Sequence, residues 1–98
     1  MLSPGTAVCW KAARHQSRLR GRIVAHIEAG SAPAQVAPEL IGLKTTQVRF
    51  SNPRLPRQQA HYLIRREERN ERGTDQSVYY LPAAGLVEPV REKQEQAS

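Results

Sequence analysis

Glycines and prolines divide this chain into short segments, and that division is the strongest constraint on its fold. Six glycines and seven prolines stand among 98 residues. The apolar stretches end at four of them, namely Gly30, Gly42, Pro53 and Pro82. With 39% hydrophobic and 5% aromatic residues, the segments can together close one modest core. We therefore expect one small domain without a deep enzyme cavity.

Two helices are predicted in the first half of the chain. Apolar side chains recur at helical spacing after a Ser17 N-cap, at Leu19, Ile23, Val24 and Ile27. This spacing predicts a first helix over residues 18–29, which ends at the left-handed position of Gly30. A second helix is predicted over residues 32–41, with an apolar stripe at Val36, Ala37, Leu40 and Ile41. Pro38 lies inside it, so this helix either bends or begins nearer Gln35.

A third helix and a β-hairpin are predicted in the second half. Residues 56–70 are rich in strong helix formers and carry Pro56 in the first turn. Residues 43–52, just before them, fit a helix and an extended strand about equally well. A turn at residues 73–75 leads into a β-rich return strand at residues 77–81, where Val78 and Tyr80 share one face. The predicted core consists of Leu19, Ile23, Ile27, Val36, Leu40, Leu63, Ile64 and Val78.

The charge distribution predicts a polyanion-binding surface. Fifteen Lys and Arg residues against nine Asp and Glu residues give a net charge of +6, and twelve of the cations are arginines. Residues 1–27 carry +5, residues 28–66 carry +4 and residues 67–98 carry −3. Arginine suits phosphates and guanine edges because its planar fork donates two parallel hydrogen bonds. The first two thirds of the chain are therefore expected to bind a polyanion, with an acidic segment behind them.

Several other classes of function lack a signal. Cys9 is the only cysteine, and no Cys or His pair has the spacing of a zinc site, so we expect a reducing compartment, no metal and no cofactor. No nucleophile with a base and an orienting partner is identifiable, so we expect no enzyme activity. Because no apolar run is long enough for a membrane span or a signal peptide, we expect a cytoplasmic location without membrane contact. The Arg-rich, acid-free beginning also fits a mitochondrial transit peptide.

The order of predicted elements resembles a winged helix-turn-helix domain of the ArsR and MarR kind, found in small prokaryotic and phage regulators. The resemblance covers residues 17–82 and rests on three features. Ala37, Gly42 and Val48 match the small, turn and apolar positions, HYLIRREERNERG resembles the end of a recognition helix, and SVYYLP resembles the second wing strand. It implies a mainly α fold with a small β-hairpin, preceded by a basic arm at residues 1–16 and followed by a flexible tail at residues 83–98.

The resemblance also implies a set of DNA contacts. With residues 56–70 as the recognition helix, base edges would be contacted by Arg57, Gln58 and His61. The DNA backbone would be held by Lys44, Arg49, Arg54 and Arg65. Arg72 and Thr74 would lie on the wing. The alternative is that residues 45–50 form a short recognition helix, because the segment SNPRLPRQQA interrupts what would otherwise be one helix from Thr45 to Asn70. The interval between Ala37 and Gly42 is also one residue longer than the usual motif.

The function expected from this resemblance is sequence-selective binding of double-stranded DNA by a small transcriptional regulator. Such regulators commonly dimerise, and the arm and tail would supply a homodimer contact with Val8 and Trp10 as exposed apolar anchors. A winged-helix protein-interaction adaptor is the first alternative, since fold alone does not fix function. A basic RNA-associated protein is the second, although no RNA-module signature is present.

Overall fold

The chain folds into a five-stranded antiparallel sheet, in a computed structural model that describes residues 1–11 and 18–90. The strands are β1 (Ala7–Trp10), β2 (Leu19–Ile27), β3 (His61–Arg69), β4 (Asp75–Tyr80) and β5 (Glu88–Pro89). They lie in the order β4-β3-β2-β1-β5. The other regular elements of the described residues are one short α-helix, α1 (Pro33–Val36), and three 3-10 turns. The turns are Pro38–Gly42, Thr45–Gln47 and Ala84–Leu86. The expectation of a mainly α, winged-helix fold was therefore wrong.

The first predicted helix is strand β2, and a β-bulge explains its helix-like spacing. Ile23 pairs with Ile64 of β3 and Ala25 pairs with Leu63, so Val24 is an extra residue without a partner. Before the bulge, Leu19 and Ile23 point to one side of the sheet; after it, Ile27 points to the other. Apolar positions four apart fit the two-residue period of a strand as well as a helix, and Ile23 and Val24, which contact the cores on opposite sides of the sheet, complete the helix-like pattern.

The third predicted helix is strand β3, preceded by an irregular segment over residues 56–60. Tyr62, Leu63 and Ile64 are buried in succession because both sides of the sheet are covered at this point. From Arg65 to Arg69, exposed and half-buried residues alternate with the period of a strand. A hairpin is present here as predicted, with Gly73 in the left-handed conformation (φ 79°) at its turn, but its outgoing strand is β3 rather than residues 69–72 and its return strand is residues 75–80 rather than 77–81.

The sheet curls around a core on one side, which we call the inner face. Its buried residues are Val8, Trp10, Leu19, Ile23, Tyr62, Ile64, Val78, Tyr80 and Val87. β1 and β4 are three strand spacings apart in the sheet, about 14 Å if it were flat, yet the rings of Trp10 and Tyr80 lie 5.2 Å apart. The sheet is therefore strongly curved, and the Val8 and Trp10 side chains expected as exposed anchors are buried in its core.

The long connection between β2 and β3 covers part of the opposite side, the outer face. Ile27 and Leu63 project from the sheet and pack against Ala37 and Leu40 of the connection, with Tyr79 and Leu81 at the margin. The predicted second helix is divided at Ala37: α1 ends at Val36 and a 3-10 turn begins at Pro38, whose ring cannot continue an α-helix. Val36, predicted as core, is 45% exposed; the other seven predicted core residues are buried.

The predicted arm contributes a strand to the sheet. Residues 7–10 form β1, which pairs with β2 on one side and β5 on the other, so this part of the arm belongs to the folded unit. β5 lies in the predicted tail, which also carries the buried Val87. Residues 12–16 of the predicted arm and residues 91–98 of the predicted tail lie outside the described part of the chain.

Candidate nucleic-acid interface

Five arginines line a shallow cavity on the part of the sheet that the connection leaves uncovered. We call it the arginine groove; its arginines are Arg18, Arg20, Arg22, Arg65 and Arg66. The cavity measures about 590 Å³ and crosses β1, β2 and β3, with Ala7, Gly21 and Val90 among its other lining residues. Arg20 and Arg22 alternate along β2 with the buried Leu19 and Ile23, which places both on the outer face.

Two arginines of the groove are direct cross-strand neighbours. Arg22 of β2 pairs in register with Arg65 of β3, and both side chains are exposed. Like charges in directly opposed positions of an antiparallel pair destabilise the sheet. Arg22 donates from Nη1 to the carbonyl oxygen of Gly5 at 3.0 Å, a bond that fixes the guanidinium and leaves its charge in place. An anion between Arg22 and Arg65 would offset this repulsion.

Carboxylates balance part of the groove's charge. Arg18 Nη1 lies 3.0 Å from Glu88 Oε2, Arg65 Nε lies 3.9 Å from Glu67 Oε1 and Arg66 Nη1 lies 2.8 Å from Glu68 Oε2. These pairs offset part of the positive charge of Arg18, Arg65 and Arg66. The exposed pairs are weak, because water screens them.

Glu68 anchors a second, partly buried charge cluster beside the groove. Its carboxylate accepts hydrogen bonds from Tyr80 and Arg66, and Arg49 Nη2 lies 3.5 Å from its Oε1. Burial acts to raise the pKa of Glu68, but the hydrogen bonds from Tyr80 and Arg66 and the charges of Arg66 and Arg49 outweigh it, so the pKa is lowered. Burial and the same carboxylate raise the pKa of Tyr80. The cluster therefore holds Arg66 and Arg49 at one end of the inner core.

The residues expected to contact bases lie at the end of the connection and the start of β3, away from any recognition helix. Arg57 donates to the carbonyl oxygens of Asn52 at 2.8 Å and Leu55 at 2.7 Å and to that of Ser51, and lies over the Phe50 ring. Burial lowers the pKa of Arg57. Gln58 is exposed, and His61 begins β3 with Nδ1 2.7 Å from the carbonyl oxygen of Gln59.

The residues expected to hold the DNA backbone are dispersed. Arg65 lies in the arginine groove, whereas Lys44 and Arg54 line a separate cavity within the connection. The backbone N–H of Arg49 donates to the carbonyl oxygen of Tyr79 at 2.9 Å, at the edge of β4. Arg72 and Thr74 lie in the β3–β4 turn, where their backbone N–H groups donate to Asn70 Oδ1. The structure thus brings one of these six residues, Arg65, into the groove.

The sequence-based search for a site missed Arg18, Arg20, Arg22 and Arg66. The signal was present, because Arg18, Arg20 and Arg22 alternate with Leu19, Gly21 and Ile23 at the two-residue period of a strand with one charged face. Because a helix was predicted over residues 18–29, this two-residue alternation was not interpreted as a strand.

Among residues 1–11 and 18–90 there is no group of three or more metal-ligating side chains, and no helix is long and apolar enough to cross a membrane. Comparison of the chain with protein-family models, with curated proteins and with solved structures found no match.

Proposed function

We propose that the protein binds double-stranded DNA through phosphate contacts made by the arginine groove. The observation that carries this proposal is the direct opposition of Arg22 and Arg65, with Arg18 and Arg20 on the same face of the sheet. Guanidinium groups form bidentate hydrogen bonds with phosphate oxygens, and such contacts provide most of the affinity of proteins for DNA. Base preference comes from arginine contacts to guanine edges and is secondary to the phosphate contacts.

The composition of the groove favours a duplex over a single strand. Proteins that bind single-stranded nucleic acids stack bases on exposed aromatic rings. Among the described residues, no side chain that lines the groove is aromatic, and Trp10, Tyr62 and Tyr80 are buried in the core on the inner face. A duplex presents its phosphates outward with its bases already stacked, so it needs no such platform.

The salt dependence of binding tests this proposal. We would measure the anisotropy of a fluorescently labelled 20-base-pair duplex between 50 and 200 mM NaCl. If Arg20, Arg22 and Arg65 each contact one phosphate, the logarithm of the association constant should fall against the logarithm of salt with a slope of about −3. The double variant Arg22→Gln/Arg65→Gln should reduce the magnitude of that slope by about 2, because two phosphate contacts are lost. It should weaken binding to random and selected duplexes alike.

A matched control separates the groove from the net charge of the protein. Lys44→Gln/Arg54→Gln also removes two positive charges, but from the cavity within the connection. This variant should retain nearly all of the affinity for duplex DNA. Equal losses in the two double variants would show that diffuse charge attracts the DNA and would contradict the proposal. Tighter binding to a single strand of the same sequence, or to duplex RNA, would also contradict it.

A further inference from the structure

A second cavity lies within the connection between β2 and β3, and its lining is mostly apolar, unlike that of the arginine groove. It measures about 430 Å³, within the range of small-molecule sites in proteins. Its apolar lining consists of Leu40, Ile41, Leu43, Val48, Phe50 and Pro53. Leu40 is buried in the core on the outer face of the sheet, against which Leu43 and Phe50 also pack. One wall of the cavity therefore belongs to the folded core of the protein.

The two charged residues that line this cavity are both cations. They are Lys44 and Arg54, both exposed, and no carboxylate is among the lining residues that the structure describes. Among the described residues no Asp or Glu forms an ion pair with either of them. An apolar cavity with two such cations is complementary to a molecule that combines an apolar body with an anionic group.

Arg57 makes the cavity wall rigid. Its guanidinium bonds the carbonyl oxygens of Ser51, Asn52 and Leu55 and lies 5.6 Å from the centre of the Phe50 ring. These bonds hold residues 50–55 in a fixed loop, with Asn52 in the left-handed conformation at φ 47°. A wall fixed before binding lowers the conformational entropy lost when a ligand binds.

We propose that this cavity binds a small amphiphilic carboxylate, with its apolar part against Leu43 and Phe50 and its anionic group between Lys44 and Arg54. The site is separate from the arginine groove and does not depend on DNA binding. Arg57 is a positioning residue, because it shapes the loop and its guanidinium is engaged by backbone carbonyls.

The test uses the fluorescent aromatic sulfonate 8-anilinonaphthalene-1-sulfonate and the full chain. We expect binding of one probe per protein with a rise in fluorescence, and displacement by decanoate but only weakly by decan-1-ol. Lys44→Gln/Arg54→Gln should weaken probe binding about fivefold, as expected for the loss of exposed ion pairs. Ile41→Ser, at an exposed lining position, should weaken it as well, whereas Arg22→Gln/Arg65→Gln should leave it unchanged.

Three results would overturn the proposal. The first is unchanged affinity in Lys44→Gln/Arg54→Gln. The second is equal displacement by decan-1-ol, which would mean that the anionic group makes no contact. The third is probe binding confined to protein that has lost its near-ultraviolet circular dichroism, which would locate the probe on the exposed apolar surface of a molten globule. Because the Arg22 and Arg65 variants report separately on DNA, failure at one site is distinguishable from failure at the other.

Discussion

Gly21 allows β2 and β3 to approach each other more closely than any residue with a side chain would. A Cβ atom there would lie 2.6 Å from Ile64 Cγ2 and 2.8 Å from the carbonyl oxygen of Arg65. The second of these atoms belongs to the backbone of the paired strand and cannot rotate away. We therefore expect Gly21→Ala to lower the free energy of unfolding in urea by about 1 to 3 kcal/mol.

Gly42→Ala is the matched control for this substitution. No heavy atom lies within 4 Å of a Cβ built at Gly42, and its φ is not in the left-handed region. The free energy of unfolding should change by less than about 0.5 kcal/mol. An equal loss in the two variants would mean that the close approach at Gly21 does not determine the effect.

Glu68 should make the stability of the protein depend on acid pH. Its pKa is lower in the folded protein than in the unfolded chain, so the carboxylate stabilises the fold above the unfolded pKa of about 4.3. This contribution is lost as pH falls through the folded pKa. We expect Glu68→Gln to be less stable than the native protein at pH 7, with a difference that shrinks below about pH 4.

The measurement is urea denaturation at several pH values between 2 and 7. Glu39→Gln serves as the control, since Glu39 is exposed and forms no ion pair with another described residue. A Glu68→Gln difference that stays constant across this range would show that the hydrogen bonds matter and the charge does not.

At the scale of elements, β2 and β3 show why the sequence predicts buried residues better than it predicts secondary structure. Leu19, Ile23 and Ile27 are buried as expected, but their spacing of four residues fits a helix as well as a strand, and the bulge at Val24 places Ile27 on the opposite side of the sheet from Leu19 and Ile23. In β3, the sequence RREER has high helix propensity. Arg66 and Glu68 are nevertheless in a strand, where both side chains are half-buried on the inner face and form an ion pair with each other. Tertiary pairing thus overrides local preference, and a single sequence does not display that pairing.

Truncation of Leu63 and of Val36 tests where the connection packs against β3. Leu63 is fully buried between the sheet and the connection, whereas Val36 of α1 is 45% exposed although its spacing suggested a core position. Leu63→Ala should lower the free energy of unfolding by about 2 to 5 kcal/mol because it leaves a cavity. Val36→Ala should cost less than about 1 kcal/mol in the same denaturation experiment. The reverse order would place the connection elsewhere on the sheet.

At the scale of the whole molecule, the connection divides the outer face into two regions of different chemistry. It packs over Ile27 and Leu63 and leaves the surface around Arg22 and Arg65 open. The overall positive charge was readable from the sequence and predicted a polyanion partner. The division was not readable, because it depends on how residues 28–60 return across the sheet. For the same reason the sequence does not show that Lys44 and Arg54, predicted to hold the DNA backbone, line a cavity apart from the groove.

This division predicts that the two proposed sites act independently. Each ligand contacts its own residues, and no structural element lies in both sites, so the coupling free energy between them should be near zero. Saturation with duplex DNA should change the dissociation constant of the fluorescent sulfonate less than about twofold at fixed ionic strength. A larger change in either direction, measured reciprocally from the DNA side, would show that the regions communicate.

The pairing of β1 with β5 sets an order for the folding reaction. Cys9 pairs with Glu88, 79 positions away in the chain, whereas β3 and β4 are joined by a short turn. The entropic cost of closing a loop grows with its length, and non-local pairing slows folding. The β3–β4 hairpin can therefore form early, and β5 docks after β1 has joined β2. In pulsed hydrogen exchange during refolding, the amide of Val90, which donates to the carbonyl oxygen of Ala7, should gain protection later than the amides of β4.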